Sequence, residues 1–207
     1  MFGIIRTILL LLVLISSWSF VEKRFNIHKR KPRIVALIVI LLVVAASCIY
    51  PPEAMFLSFE TPESAYDYSY DGDIILTLEG DNSTLVVASD GPANYNHEIV
   101  PKRDDRWGMC LGFDTETIYG ISPDITIIVY RHRKSNDTYI CITGLSANIN
   151  EISDNLGSVF DVVSKNDSSP IYSNYYSYIG PWTEAYQVTV NGTTYQIVSG
   201  FAQPIEE

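Results

Sequence analysis

Two apolar runs, residues 4–21 and 34–50, flank a stretch in which Lys23, Arg24, Lys29, Arg30, Lys31 and Arg33 fall within eleven residues. No other feature restricts the chain so strongly. The second run carries no charge from Ile34 to Tyr50 and is rich in Ile, Leu and Val. As a helix its seventeen residues reach about 25 Å, slightly short of a hydrocarbon core of about 30 Å, and snorkelling flanks close the gap. Basic residues beside a span resist translocation, so 22–33 is expected in the cytoplasm and residues 51–207 outside it. Inserted together, the runs make a membrane anchor over 1–50: spans 4–21 and 34–50 in the lipid bilayer, joined by a basic cytoplasmic turn 22–33.

Two rival readings of the same residues stay open. A cleaved signal peptide ending near Ser19 suits the small residues Ser17 and Ser19, but it sets six basic residues outside, against the charge rule. The string KRKPRIVALIVILLVVAASC resembles a lipoprotein signal, with Ala45 where Leu is usual and Ala46 and Ser47 before Cys48. That resemblance implies acylation at Cys48 and a lipoprotein accessory subunit.

Charge divides the chain at the same place. Residues 1–50 carry seven Lys/Arg and one Glu, and the remainder seven Lys/Arg and 23 Asp/Glu, so +6 and −16 compose the net −10. Phosphate contacts need Lys and Arg, so a part this acidic is no nucleic-acid binder. Its 157 residues suffice for one domain with a sizeable core.

Pro51 and Pro52 stop the preceding helix, and 51–60 reads as a linker to a domain over 61–207. Thr61-Pro62-Glu63 supplies an N-cap, a proline suited to the first helical position and an acid in the first turn, predicting a short helix through about Tyr68. Short β-rich runs follow at 73–79, 84–89, 95–101, 106–113, 125–131, 138–143, 158–163, 171–179, 185–190 and 194–199. The fold class is therefore mostly β, an antiparallel meander or sandwich with one short helix. Asn191-Gly192 between Val190 and Thr193 predicts a two-residue type I′ hairpin. The stretches from Asp73 and from Asp124 both run strand, turn, strand into Ala-Asn-x-Asn and Glu-Ile, a pattern that fits a duplicated meander or chance.

The entry FETPESAYDY, the middle pieces SNDTYICITG and ISDNLGSVF, and the end AYQVTVNGTTYQI resemble those of uncharacterised membrane-anchored extracytoplasmic proteins of Gram-positive bacteria. The resemblance implies a surface-exposed β-rich domain and brings no catalytic residues with it.

Tyr172, Tyr176 and Tyr178 fall on one face of a strand, with Tyr175 and Ile179 on the other, and Trp182 follows. Exposed, such rings would stack on a glycan or on another surface protein; packing in the core is the commoner fate of aromatic residues in sheets. Cys110 and Cys141 lie in apolar runs and are a candidate disulfide outside the cell, the alternative being two free buried thiols. Glycoside hydrolysis would need two facing carboxylates, but Asp71, Asp73, Asp104 and Asp105 read as solvated turns. His97, His132, Cys110 and Cys141 lack metal-ligand spacing, so neither metal nor cofactor is expected. There is no nucleophile elbow, P-loop or dinucleotide fingerprint. Arg131-His132-Arg133-Lys134 is the one basic knot after the anchor; it suits a charged hairpin tip or a contact with anionic polymer or headgroups. These features predict a membrane-tethered extracytoplasmic domain that binds or senses without catalysis, with a wall-active hydrolase as a remoter class.

Overall fold

In the computed structural model Thr61 keeps an extended backbone while its Oγ1 accepts the Ser64 amide at 3.2 Å, capping α1 (Pro62–Ser69). The structure describes residues 56–89, 91, 94–111, 114–145, 149–164, 172–198 and 201–205, with isolated positions before them. The chain divides into units Met1–Leu57 and Ser58–Glu207. In the first unit, the described positions Leu12, Ile15, Ile34, Val35, Ile38, Val39, Leu41, Leu42 and Ala45 are helical and exposed. The rest of spans 4–21 and 34–50, turn 22–33 and Cys48 lie outside the described residues. Among the described residues no helix is long and apolar enough to cross a membrane.

The second unit is mostly β. One antiparallel sheet runs in chain order through β1 (Asp73–Glu79), β2 (Ser83–Ser89), β3 (Tyr95–Arg103) and β4 (Arg106–Trp107). A nine-stranded sheet holds β5 (Thr115–Ile121), β6 (Ile125–His132), β7 (Thr138–Leu145), β8 (Ile152–Asp154), β9 (Asp161–Ser164), β10 (Tyr172–Gly180), β11 (Gln187–Val190), β12 (Thr193–Val198) and β13 (Phe201–Pro204). Its spatial order is β8-β11-β12-β13-β5-β6-β7-β10-β9. Every pairing in it is antiparallel except β13 with β5, which meet in parallel where Phe201 faces Ile121.

The two-residue period of the strands sorts their side chains into three apolar layers. On one face of the small sheet, Val86, Ala88 and Val100 pack with Ala65 and Tyr66 of α1, and with Trp107 and Cys110. The alternate residues Leu85, Val87 and Ile99 turn to the other face and meet Tyr130, Tyr139, Cys141 and Tyr176 of the large sheet. β2 is thus covered on both faces, which explains why six consecutive residues, Ser83 to Ala88, are buried. The far face of β6 and β7, with Ile127, Val129, Ile140 and Ile142, packs on Val188, Val190, Tyr195 and Ala202. The large sheet therefore curls so that β11 to β13 cover its own central strands. Each fully buried aliphatic side chain contributes roughly 1.5 to 3 kcal/mol through loss of hydrated area.

Three strands, β5, β8 and β13, were not foreseen in the sequence, and the run 106–113 yields only the two residues of β4. The likeness between the Asp73 and Asp124 stretches ends at the hairpin: β3 pairs with β2, whereas β8 pairs with β11, and β10 takes the place beside β7.

Candidate functional site

Of the aromatic residues foreseen as a ligand surface, Tyr176 is interior, and Tyr178 and Trp182 are half-buried against the apolar layers. Tyr176 is fully buried, and its hydroxyl lies 2.9 Å from Nε2 of His97 across the two sheets. Tyr178 packs against the same layer and donates to Oδ1 of Asp137 at 3.2 Å. Trp182 belongs to the other apolar layer, its ring 5.8 Å from that of Tyr186. Tyr172 lies in β10, and its side chain is outside the described residues. The face is spent on packing because β10 is an interior strand between β7 and β9, covered on both sides.

Of the two readings left open for Cys110 and Cys141, the structure has the free buried thiols rather than the disulfide. Cys110 packs under α1 and Cys141 between the sheets, so the small sheet separates them, and a bridge needs Cα atoms within about 7 Å. Burial raises both thiol pKa values, that of Cys141 to about 11, which leaves them protonated and weakly nucleophilic. Asp104 and Asp105 are exposed at a turn, and Asp71 and Asp73 are exposed on either side of Gly72 where β1 begins. Among the described residues no group of His, Cys, Asp and Glu is arranged to hold a metal ion.

A different site comes together at one end of the second unit. The described Lys and Arg of that unit are Lys102, Arg103, Arg106, Arg131, Arg133 and Lys134, and all six sit at the β3–β4 turn or the β6–β7 tip. Between these turns lies an open cavity of about 430 Å³. One wall carries Lys102, Arg103 and Met109; the other carries Asp114, His132 and Lys134, with Asn82 and Asn136 at the margins. Lys134 holds Oδ2 of Asp114 at 2.8 Å, and Lys102 lies 3.6 Å from Glu79 and 5.3 Å from the centre of the Trp107 ring. His132 is 5% exposed, and its Nδ1 has no hydrogen-bond partner among the described residues. Burial lowers its pKa, so the ring is neutral near pH 7.

The two walls are riveted by one carboxylate. Asp137 is 2% exposed, and its Oδ2 accepts the Asn82 amide at 2.8 Å and the Ser83 hydroxyl at 2.7 Å. The Ser83 oxygen is 3.0 Å from the Tyr139 hydroxyl, while Tyr178 completes the carboxylate's shell. A Cβ on Gly80 would come within 2.6 Å of the Tyr139 oxygen, so only glycine lets the β1–β2 turn approach this closely. The basic knot was legible in the sequence; its meeting with Lys102 and Arg103, thirty residues earlier, had no local signal. Comparison with family models, curated proteins and solved structures finds no match for this chain.

Proposed function

We propose that this protein is a membrane-tethered extracytoplasmic domain that binds a ligand at the cell surface through the cavity between the β3–β4 turn and the β6–β7 tip, without chemistry on it. The observation that carries the binding reading is that the unit's described cations fall at the two turns flanking one cavity, three of them, Lys102, Arg103 and Lys134, on its wall, in a part of the chain whose net charge is −16. Random placement in so acidic a part would scatter them among carboxylates. Binding rather than catalysis suits the site, because its wall carboxylate Asp114 is held by Lys134 and its histidine is buried. The tether is supported by the charge asymmetry around residue 34 and by apolar side chains such as Leu42 and Val35, 63% and 60% exposed at helical positions. The resemblance to membrane-anchored surface proteins points the same way, and acylation of Cys48 would keep the domain on the same side.

Two measurements test this. Alkaline phosphatase fused after Glu207 should be active in cells, and a fluorescent protein at the same place dark; the reverse pattern would exclude an extracytoplasmic domain. A photo-crosslinking residue in place of exposed Asn136 should capture a ligand that one in place of exposed Glu184 does not. Equal capture from both positions would remove the cavity from consideration.

A further inference from the structure

We propose that the cavity takes a phosphate ester of a hydroxylated small molecule, free or presented as a lipid headgroup, an inference that rests on the cavity being the ligand site. Three cations, Lys102, Arg103 and Lys134, line it against two carboxylates, Asp114 held by Lys134 and Glu79 3.6 Å from Lys102, which leaves an excess of one positive charge. A guanidinium presents a planar fork that matches phosphate oxygens, and the two ammonium groups add point charge. This excess selects an anion. The remaining polar wall selects for hydroxyls: the amides of Asn82 and Asn136, the hydroxyl of Ser135 and the second oxygen of Asp114 supply donors and acceptors without further charge.

His132 sharpens this assignment. Its ring is part of the cavity wall and is neutral. A neutral imidazole offers one hydrogen bond rather than a charge, which fits a hydroxyl or ester oxygen beside the phosphate. About 430 Å³ lies within the roughly 300–1,000 Å³ of small-molecule sites and leaves room beyond the phosphate for a short polyol. The surrounding charge excludes long polyanions. Away from this end the described residues of the unit carry no Lys or Arg, so a polymer leaving the cavity would run along acidic surface.

The test is calorimetric titration of the full-length protein in a non-ionic detergent at low salt, with glycerol 3-phosphate, glycerol, sulfate and short-chain phosphatidylglycerol below its micelle concentration. Glycerol 3-phosphate should bind saturably, sulfate more weakly and glycerol not at all, with affinity falling as salt rises. Arg103→Gln and Lys134→Gln should each weaken binding about tenfold, the usual cost of one charge-assisted contact, and Arg131→Gln, whose side chain pairs with Glu116 outside the cavity, should not. Binding of the lipid alone, with the same sensitivity to the variants, supports the proposal and assigns the source to a headgroup. A readout independent of any variant is the imidazole nitrogen spectrum: the His132 signals should move on adding glycerol 3-phosphate and those of His97, buried between the sheets, should stay. Equal binding of glycerol and its phosphate, or binding indifferent to Arg103 and Lys134, overturns the proposal. Capture of a phosphate-free ligand from position 136 overturns it while leaving the binding function intact; failure of both the capture and the titrations overturns both.

Discussion

His97 and Glu98 are neighbours on β3 whose side chains enter opposite layers, and burial drives their protonation in opposite senses. The His97 ring stacks on Tyr130 with centroids 4.8 Å apart, and burial lowers its pKa from 6.5 to about 4. Glu98, under α1, is raised by burial from 4.5 to about 6, with a hydrogen bond from Tyr70 opposing the shift. The neutral form of each group is the one the fold prefers. As pH falls from 6.5 to 4 the unfolded chain takes up a proton that folded His97 refuses, so stability falls by about 2 to 3 kcal/mol. As pH rises from 4.5 to 6 the unfolded chain releases a proton that folded Glu98 keeps, so stability falls by about 1 to 2 kcal/mol. Urea melts of residues 58–207 across this range should therefore show His97→Gln with a flatter acid limb than the parent. Glu98→Gln should show a steeper one, because the opposing term has gone. Three parallel profiles would mean that neither group titrates differently in the folded state.

The elements with strong local chemistry are the ones the sequence discloses. The Thr61 cap, Pro62 and Glu63 define α1 without help from tertiary contacts, and Asn191-Gly192 defines the β11–β12 turn. Asn191 has φ 50° and Gly192 φ 82°, as a type I′ turn requires, and Val190 faces Thr193 across it. Asn191 does a second task that the sequence hides, its Oδ1 accepting the amides of Asn150 and Glu151 at 2.9 and 3.1 Å. The elements that escaped notice are defined by distant partners. β5 contains Gly120, where a Cβ would meet Ile197 at 2.9 Å, so the glycine serves close packing within a strand and its reason lies in a distant partner. β8 has three residues and exists only as the neighbour of β11, while β13 ends in a proline beside β12. For the turn, Gly192→Val should destabilise residues 58–207 by about 1 to 3 kcal/mol, since a β-branched residue is strained at positive φ, and Gly192→Asn by much less. Melts of both variants within about 0.5 kcal/mol of the parent would disprove this role of the turn.

At the scale of the whole domain, the two sheets touch through an apolar layer, and a pure apolar layer would leave their mutual register loosely specified. The polar rivet at its edge supplies that register. Asp137 on the β6–β7 tip of the large sheet binds the β1–β2 turn of the small sheet and Tyr178 of β10 at once, and the cavity opens beside it. Nothing local in Asn136-Asp137-Thr138 distinguishes this aspartate from those in solvated turns; only the approach of Asn82 and Ser83, more than fifty positions earlier, makes it a buried acceptor. For the same reason the cavity was half legible: its basic tip could be read, and its second wall could not. Asp137→Ala would remove the shared acceptor of the Asn82 amide, the buried Ser83 hydroxyl and the half-buried Tyr178 hydroxyl, and should cost about 3 kcal/mol. Gly80→Ala should also destabilise, because the added methyl presses on the Tyr139 and Tyr178 rings of the same network. Asp67→Ala, an exposed aspartate on α1, should remain within about 0.5 kcal/mol of the parent. Since the rivet also sets the distance between the cavity walls, Asp137→Asn, which keeps one acceptor oxygen, should weaken glycerol 3-phosphate binding at temperatures where the domain is still folded. A variant that melts early but binds like the parent would show that Asp137 stabilises the domain without shaping its site.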